Sequence, residues 1–421
     1  MPKNDVDVAP RTAPRRASSR RVAWLLGPAM VAGVAYLDPG NVASNMTAGA
    51  RFGYLLVWVV VLGNVMAWLI QYLSAKLGIV TGASLPETLG RRIRSPWARR
   101  AYWLQAELVA MATDIAEVIG GAVALNLLFG VPLVWGGAIT GVVSLALLVL
   151  QSRGGAKPFE FVVMGLMAVI AIGFAFGVFV APPDAGSVVD GLVPRFAGTD
   201  SVLLAASILG ATIMPHAIYA HSSLARDRFP RAHVRDLGVG RVLRATRWDV
   251  TIALAIAGTV NLCILLLAAA NLSGVPGTDS LEGAHAALES GLGPLVATLF
   301  AVGLLASGLA STSVGAYAGA EIMSGLLRVR VPLLARRLVT LVPALVILGV
   351  SVDPTLALVL SQVVLSFGIP FALVPLVALT ARDDVLGRFR NRRLTTAAGI
   401  AASVFLIALN AVLLWLVFSG G

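Results

Sequence analysis

The sequence predicts an all-α polytopic membrane protein of about eleven helices, built as two inverted five-helix repeats and one extra helix. Three observations predict this fold: the composition, the distribution of charge, and two matched interruptions of apolar stretches. The chain is 58% hydrophobic and only 13% charged, whereas soluble domains carry about 25% charged residues. Two apolar stretches are each interrupted near the middle by a proline beside polar side chains, at 36–41 and at 210–216.

Eleven stretches are long enough to cross the hydrocarbon core, about 30 Å thick, which takes about 20 helical residues. They lie near 23–48, 54–80, 101–129, 132–152, 158–181, 200–223, 249–271, 292–326, 336–351, 355–380 and 395–419. With these spans, all of the 32 Lys and Arg residues except Arg51 and Arg195 fall on one side. Because basic residues concentrate in cytoplasmic segments, we predict a cytoplasmic N-terminus, an outside C-terminus, and location in the cell (inner or plasma) membrane.

The two interruptions divide the chain into repeats. We predict a disordered basic cytoplasmic tail at 1–22, a first five-helix repeat at 23–181, a second at 200–380, and an eleventh span at 395–419. Five is an odd number of crossings, so the second repeat must start on the opposite side of the membrane. The two repeats are therefore inverted relative to each other, an architecture typical of secondary transporters.

Both interruptions carry groups that can bind a metal ion. Proline removes a helical hydrogen bond, so each span should unwind there, and freed backbone groups then face protein or a watery cavity. The first break offers the Asp38 carboxylate and the Asn41 carboxamide. The second offers the Met214 thioether and the Ala211 carbonyl, which Pro215 frees. Oxygen ligands with a soft sulfur favour Mn²⁺ or Fe²⁺ over Ca²⁺ or Mg²⁺.

The alternative is structural: Asp38 would cap a helix fragment and Met214 would fill core space. However, an acid within the membrane costs about 2.5–3.5 kcal/mol on insertion scales and is functional by default. Gln362, which is polar within span 10, is a candidate for a further oxygen ligand or for an interhelical hydrogen bond.

Span 3 contains three acids, Glu107, Asp114 and Glu117, on one helical stripe. Three isolated acids facing lipid would cost on the order of 8–10 kcal/mol, so the stripe should face a cavity. Chained carboxylates there indicate a proton relay; static ion pairs with arginines are the alternative. His216, directly after Pro215, is a candidate proton carrier or pH sensor, with a helix-packing histidine as its alternative.

Other features of the sequence argue against three kinds of function and predict one packing contact. The net charge of +11 follows from topology and does not indicate nucleic-acid binding. The chain has no P-loop, so no ATPase subunit or ATP drive is predicted, and it has no HExxH or GxSxG motif, so we do not expect an enzyme. Gly315 and Gly319 in span 8 form a small-xxx-small pattern, which predicts close helix packing.

Five motifs in order resemble the natural resistance-associated macrophage protein (Nramp) family of divalent metal transporters. They are DPGN at 38–41, AGARFGYLLVW at 48–58, DIAEVIGGAVALNLLFG at 114–130, GATIMPHAIYAHS at 210–222 and GLASTSVGAYAGAEIMSGLL at 308–327. The resemblance covers the chain from residue 26 to about residue 380.

The resemblance implies a leucine-transporter-like fold and uptake of Mn²⁺, with Fe²⁺ as a second substrate, coupled to H⁺. It implies no permanently bound cofactor, because the metal is transported. The positions that match the family's metal ligands are Asp38, Asn41, Ala211, Met214 and Gln362. Those that match its proton route, or continue the route in basic residues, are Asp114, Glu117, His216, Arg228 and Arg337.

Three alternatives remain. A transporter of the same fold for an amino acid or organic cation would have less use for Met214 beside Asp38. A channel would more naturally use rings of residues from several chains. Ala43 and Asn45, soon after the first break, add no negative charge near the site, so an uncoupled metal uniporter is the third alternative.

Overall fold

A computed structural model of the protein describes residues 27–154, 156–329, 332–350 and 352–419, and these residues form helices without any strand. The predicted basic tail at 1–22 lies outside the described residues. The helices are α1 (Pro28–Ala35), α2 (Pro39–Phe52), α3 (Val57–Thr81), α4 (Leu85–Arg92), α5 (Pro96–Phe129), α6 (Leu133–Gly154), α7 (Ala156–Val180), α8 (Ala185–Asp190), α9 (Thr199–Thr212), α10 (Pro215–Arg228), α11 (Arg231–Leu237), α12 (Val239–Asn271), α13 (Leu281–Leu292), α14 (Pro294–Leu327), α15 (Leu333–Gly349), α16 (Pro354–Thr380), α17 (Asp383–Leu386) and α18 (Arg393–Ser419).

Each of the eleven predicted spans corresponds to one helix or to a pair. Span 1 is the pair α1 and α2, and span 6 is the pair α9 and α10, so both predicted breaks are confirmed. Among the described residues, seven segments are long and apolar enough to cross a membrane, with α9 and α10 counted as one. Shorter apolar stretches, Leu133–Leu147 and Met164–Val180, lie in α6 and α7. The short helices α4, α8, α11, α13 and α17, which we did not predict, lie in the connections.

The helix contacts repeat when each span number is shifted by five. Span 2 packs on the second half of span 6, and span 7 packs on both halves of span 1. Likewise span 3 packs on span 10, and span 8 packs on span 5. The same shift exchanges span 3 with span 8 and span 4 with span 9, and the two spans of each pair are in contact. This pattern is the packing expected of two five-helix repeats.

Both ends of α1 are bonded to the same neighbour, α12. At the start of α1, the Asp249 carboxylate accepts the backbone N–H groups of Gly27 (3.1 Å) and Ala29 (2.9 Å). Pro28, between them, has no N–H to satisfy. Beyond the other end, Asn261 Nδ2 donates to the Tyr36 carbonyl at 2.9 Å. A carboxylate at a helix N-terminus satisfies unpaired donors and complements the helix dipole.

Candidate functional site: a buried polar centre between two helix breaks

The break in span 1 frees backbone carbonyls that side chains then satisfy. The Tyr36 carbonyl accepts a hydrogen bond from Asn41 Nδ2 at 2.6 Å in addition to the one from Asn261. The Leu37 carbonyl accepts one from the Ser307 hydroxyl. Asp38 caps α2, because its Oδ1 accepts the Asn41 backbone N–H at 2.8 Å. The capping role that we considered as an alternative is therefore present, and it leaves the second carboxylate oxygen for other partners.

The break in span 6 lies against the first. Helix α9 ends at Thr212, Ile213 and Met214 are non-helical, and α10 begins at Pro215. Since Pro215 has no N–H, the Ala211 carbonyl cannot make its usual helical bond. Instead, Asn41 Nδ2 approaches this carbonyl at 3.4 Å, across the two breaks. Met214 is fully buried in the same break, three residues after Ala211.

Gln362 of α16 contacts both breaks. Its Nε2 donates to Asp38 Oδ2 at 3.1 Å, so the predicted interhelical hydrogen bond exists. A Cβ added to Gly40 would lie 1.8 Å from Gln362 Nε2, and one added to Gly210 would lie 1.9 Å from the Gln362 carbonyl oxygen. Only glycine allows both approaches. Gln362 Oε1 is buried and has no hydrogen-bond partner among the described residues, so it is an acceptor held beside the Asp38 carboxylate.

Direct hydrogen bonds thus bring together four of the five predicted ligands, namely Asp38, Asn41, Ala211 and Gln362. The orientation of the Asn41 carboxamide is fixed, because its nitrogen faces two carbonyls while its Oδ1 accepts from Asn45 Nδ2 at 2.6 Å. No group of three or more His, Cys, Asp or Glu side chains in the described part of the chain is placed to hold a metal. A cation entering this centre would replace hydrogen bonds that these groups make to one another.

The acids of span 3 are paired with two arginines of α15. Arg336 Nε contacts Glu107 Oε1 at 2.9 Å, and its NH1 lies 3.5 Å from Asp114 Oδ2. Arg337 NH1 lies 3.2 Å from Asp114 Oδ1 and 3.6 Å from Glu117 Oε2. All five side chains are buried. The ion pairs that we considered as an alternative are therefore present, and we call these five residues the buried ion network.

The glycines of span 8 form one wall of this network. A Cβ on Gly315 would lie 3.1 Å from Glu117 Oε1 and 3.3 Å from Asp114 Oδ1, whereas one on Gly319 would lie 1.9 Å from Arg336 Cζ. Helix α14 does pack closely along α5, as the small-xxx-small pattern predicted. The glycines leave room for the charged groups between these helices, a role that the pattern alone did not indicate.

The two histidines of span 6 have different surroundings. His216 Nδ1 lies 3.2 Å from Thr113 Oγ1, next in sequence to Asp114, so His216 is connected to span 3. His221 Nδ1 instead lies 2.7 Å from Gln71 Oε1, and Gln71 donates to the Tyr36 hydroxyl. Arg228 is half-buried at the last residue of α10. It is twelve residues from His216, or roughly 18 Å along the helix.

The sequence alone did not identify Arg336 or Asn261 as parts of the site, and it indicated Asn45 only as an uncharged residue near the first break. The sequence indicates Arg336 only as a basic residue of the cytoplasmic side, and Arg337 also as a continuation of the proton route, but the two side chains are 5% and 1% exposed. Two adjacent arginines inside the apolar run LLARRLVT were the available signal, because buried guanidinium groups need carboxylate partners. No comparable signal marked Asn261, whose contact with the Tyr36 carbonyl joins residues 225 apart. The contact of Asn45 with Asn41 is local, because the two residues are four apart on α2.

A separate ionic group lies at the far end of α10. Arg226 contacts Glu87 of α4 at 3.0 Å, Asp227 at 2.7 Å and Glu321 of α14 at 3.1 Å. Burial would raise the pKa of Glu87, but the Ser84 backbone N–H and the Arg226 guanidinium lower it below its ordinary value of 4.5. We call these four residues the Arg226 cluster; it joins α4, α10 and α14.

Comparisons with known proteins agree with this architecture. Over 406 residues the chain is 59% identical to the divalent metal cation transporter MntH of Mycobacterium tuberculosis (strain CDC 1551 / Oshkosh), covering 96% of this chain and 94% of that protein. A crystal structure of the Eremococcus coleocola manganese transporter, in complex with an aromatic bis-isothiourea substituted compound, matches with a TM-score of 0.82 and 34% identity. The match covers 94% of this chain and 87% of that one.

The fold also extends to a more distant protein. The structure of MhsT in complex with L-phenylalanine matches with a TM-score of 0.63 at 12% identity, over 95% of this chain and 99% of that one. At that identity the likeness concerns the fold alone, which is the leucine-transporter-like 5+5 inverted repeat. Residues 29–416 match the family described as natural resistance-associated macrophage protein-like. The chain therefore belongs to the Nramp family of membrane transport proteins.

Proposed function

We propose that this protein is a secondary transporter that imports Mn²⁺, with Fe²⁺ as a second substrate, into the cytoplasm together with protons. The observation that carries the proposal is the meeting of two helix breaks at Gln362, where buried oxygen groups converge around Asp38. A matched pair of discontinuous helices is the usual site of substrate and coupling ions in transporters built from inverted repeats.

The metal would bind to Asp38, Asn41, the Ala211 carbonyl, Met214 and Gln362. The first four come from the two breaks, so rotation of either broken helix changes the ligand set. Gln362 Oε1 supports its inclusion, because a buried acceptor without a hydrogen-bond partner gains a partner when a cation arrives. The Met214 sulfur adds the soft ligand that Mn²⁺ and Fe²⁺ accept more readily than Ca²⁺ or Mg²⁺ does.

Protons would pass through the carboxylates of the buried ion network. His216, held beside span 3 through Thr113, is the proposed link between the metal centre and Asp114. From there Glu117, Glu107, Arg337 and Arg336 provide a continuous set of charged contacts, each no longer than 3.6 Å. Arg228 would extend the route toward the cytoplasm, on the side where nearly all basic residues lie.

The test is Mn²⁺ uptake into proteoliposomes, with and without an inwardly directed proton gradient. The native chain is compared with Asp38→Ala and with Asp236→Ala, which removes an exposed carboxylate on α11 away from both breaks. We expect the gradient to accelerate uptake by the native chain and by Asp236→Ala, and we expect Asp38→Ala to abolish it.

Three other outcomes would contradict parts of the proposal. If the rate of Mn²⁺ uptake is the same with and without the proton gradient, the protein is an uncoupled metal uniporter. Normal uptake by Asp38→Ala would place the metal site elsewhere. If the native chain takes up no Mn²⁺, the metal proposal fails, and uptake of radiolabelled amino acids then tests the rival substrate class.

A further inference from the structure

A cleft lined by arginines lies where span 10 turns into span 11, on the predicted cytoplasmic side. Its volume is about 790 Å³, within the range of ligand-binding pockets, about 300–1,000 Å³. Four arginines are among the residues that line it, namely Arg388, Arg390, Arg392 and Arg393. Asn391, which also lines the cleft, is buried and fixed by hydrogen bonds to Thr380 and Lys76.

The charge of this cleft is incompletely balanced. Arg390 pairs with Asp383, and Arg388 lies over the ring of Phe389 at 4.9 Å from its centroid. Within the described residues, neither Arg392 nor Arg393 has a carboxylate within ion-pair distance. Topology requires basic residues in such a segment, but it does not require them to converge on one cavity.

The position of these two arginines at the start of α18 is also unfavourable unless an anion is nearby. The helix begins at Arg393, and the Thr396 N–H bonds to the carbonyl of the preceding residue, Arg392. The first turn of the helix contains no acidic residue. The N-terminus of a helix carries a partial positive charge and favours anions, so both arginines add positive charge to an already positive end.

An apolar surface begins at the edge of the cleft. Ile400 lines the cleft and is 53% exposed, and Val404 and Ile407 continue the same helical stripe at 59% and 46%. Of the seven helical segments long and apolar enough to span the membrane, α18 is the least buried within the described structure, at 33%. The stripe therefore faces hydrocarbon, about 10 Å along the helix from Arg393.

We propose that this cleft binds the headgroup of an anionic glycerophospholipid such as phosphatidylglycerol, with an acyl chain lying along Ile400, Val404 and Ile407. Basic pockets between membrane helices on the cytoplasmic side suit such headgroups. The phosphate supplies the negative charge that Arg392, Arg393 and the start of α18 lack. The contiguous apolar stripe favours a lipid over a soluble phosphate compound. The bound lipid would also contact Asn391, and through it the end of span 2 at Lys76.

The test titrates the purified full chain in neutral detergent with phosphatidylglycerol and, separately, with phosphatidylcholine. Bound lipid is counted by native mass spectrometry, and the unfolding temperature is followed in parallel. Arg392→Gln/Arg393→Gln is compared with Arg241→Gln/Arg244→Gln, a control that removes the same charge from exposed positions near the start of α12. At about 1 kcal/mol for each arginine near a headgroup, the first variant should bind phosphatidylglycerol about 30-fold more weakly.

The control variant should keep the native affinity, and phosphatidylcholine should bind all three proteins equally and more weakly than phosphatidylglycerol binds the native chain. If both variants lose the same affinity for phosphatidylglycerol, the effect comes from the overall charge of the protein, and the proposal is overturned. Native affinity in Arg392→Gln/Arg393→Gln would overturn it as well. If inorganic phosphate or glycerol 3-phosphate displaces the lipid at equal concentration, the cleft recognises a soluble anion and the lipid assignment is wrong.

Discussion

Replacing Gly319 by alanine tests whether span 8 makes room for the buried ion network. The new Cβ would lie 1.9 Å from Arg336 Cζ and 2.2 Å from both terminal nitrogens, so the guanidinium must move. Arg336 is 5% exposed and held by Glu107 and Asp114, so any movement of its guanidinium disturbs these two ion pairs. Overpacking a core costs about 1–3 kcal/mol, and the gain from replacing a helical glycine by alanine is about 0.5–1 kcal/mol.

The central values of these two ranges leave an expected net loss of about 1 kcal/mol of stability. The upper limit, if the buried ion pairs are lost outright, is about 3–5 kcal/mol. Gly315→Ala is the matched control on the same face of α14. Its Cβ would lie 3.1 Å from Glu117 Oε1, a tight contact without overlap, and it gains the same helix propensity. We expect its stability to remain within about 1 kcal/mol of the native value.

The assay is thermal unfolding of both variants in the same detergent, followed by circular dichroism and at two scan rates. Gly319→Ala should unfold at a clearly lower temperature than the native chain, and Gly315→Ala close to it. If the two variants unfold at the same temperature, Gly319 does not provide space for Arg336, and the described relation between span 8 and the network is wrong.

Three further predictions follow from other contacts. Gly40→Ala would place a Cβ 1.8 Å from Gln362 Nε2 and break its hydrogen bond to Asp38. The clash also displaces Gln362 Oε1, the acceptor proposed as a metal ligand. Since a contact with a charged group contributes about 1.5–3 kcal/mol, its loss should lower Mn²⁺ affinity at least about tenfold in a competition-binding assay; unchanged affinity would exclude Gln362 from the site. Met214→Ala should weaken discrimination against Ca²⁺ and Mg²⁺ more than it weakens Mn²⁺ uptake; continued exclusion of Ca²⁺ would contradict the role of sulfur. The pKa of Glu87 is lowered in the folded protein, so its contribution to stability is present above 4.5 and disappears as the pH falls through the lowered value. The difference in unfolding temperature between the native chain and Glu87→Gln should therefore be largest near neutral pH and vanish in acid; a difference independent of pH would exclude this carboxylate as its source.

The positions of the helix breaks were predictable from the sequence, because proline acts locally. Pro39 and Pro215 cannot donate the helical hydrogen bond, and each begins the second helix of its span. The lengths of the apolar stretches likewise located the spans. Their ends differ from the prediction by a few residues; span 9, for example, begins at Leu333 rather than at 336.

The partners within the centre were not predictable, because they depend on packing between distant segments. Asp38 and Gln362 are 324 residues apart, and nothing near either residue indicates their contact. The same holds for Arg336 with Glu107, which are 229 residues apart. Sequence reasoning selected the charged residues of span 3 correctly as a stripe, but it could not decide whether arginines or a cavity would face them.

The attachment of α1 to α12 restricts how an inner pathway can open. Helix α1 has only eight residues, and Asp249 and Asn261 of α12 are bonded at or beyond its two ends. If α1 swings away alone, the Asp249 carboxylate must give up two backbone donors in a buried setting, each of which then needs a new partner. If α12 travels with it, all three bonds survive. The second motion costs less free energy because it breaks none of these hydrogen bonds. We therefore expect α1 and α12 to move together as one rigid body during transport.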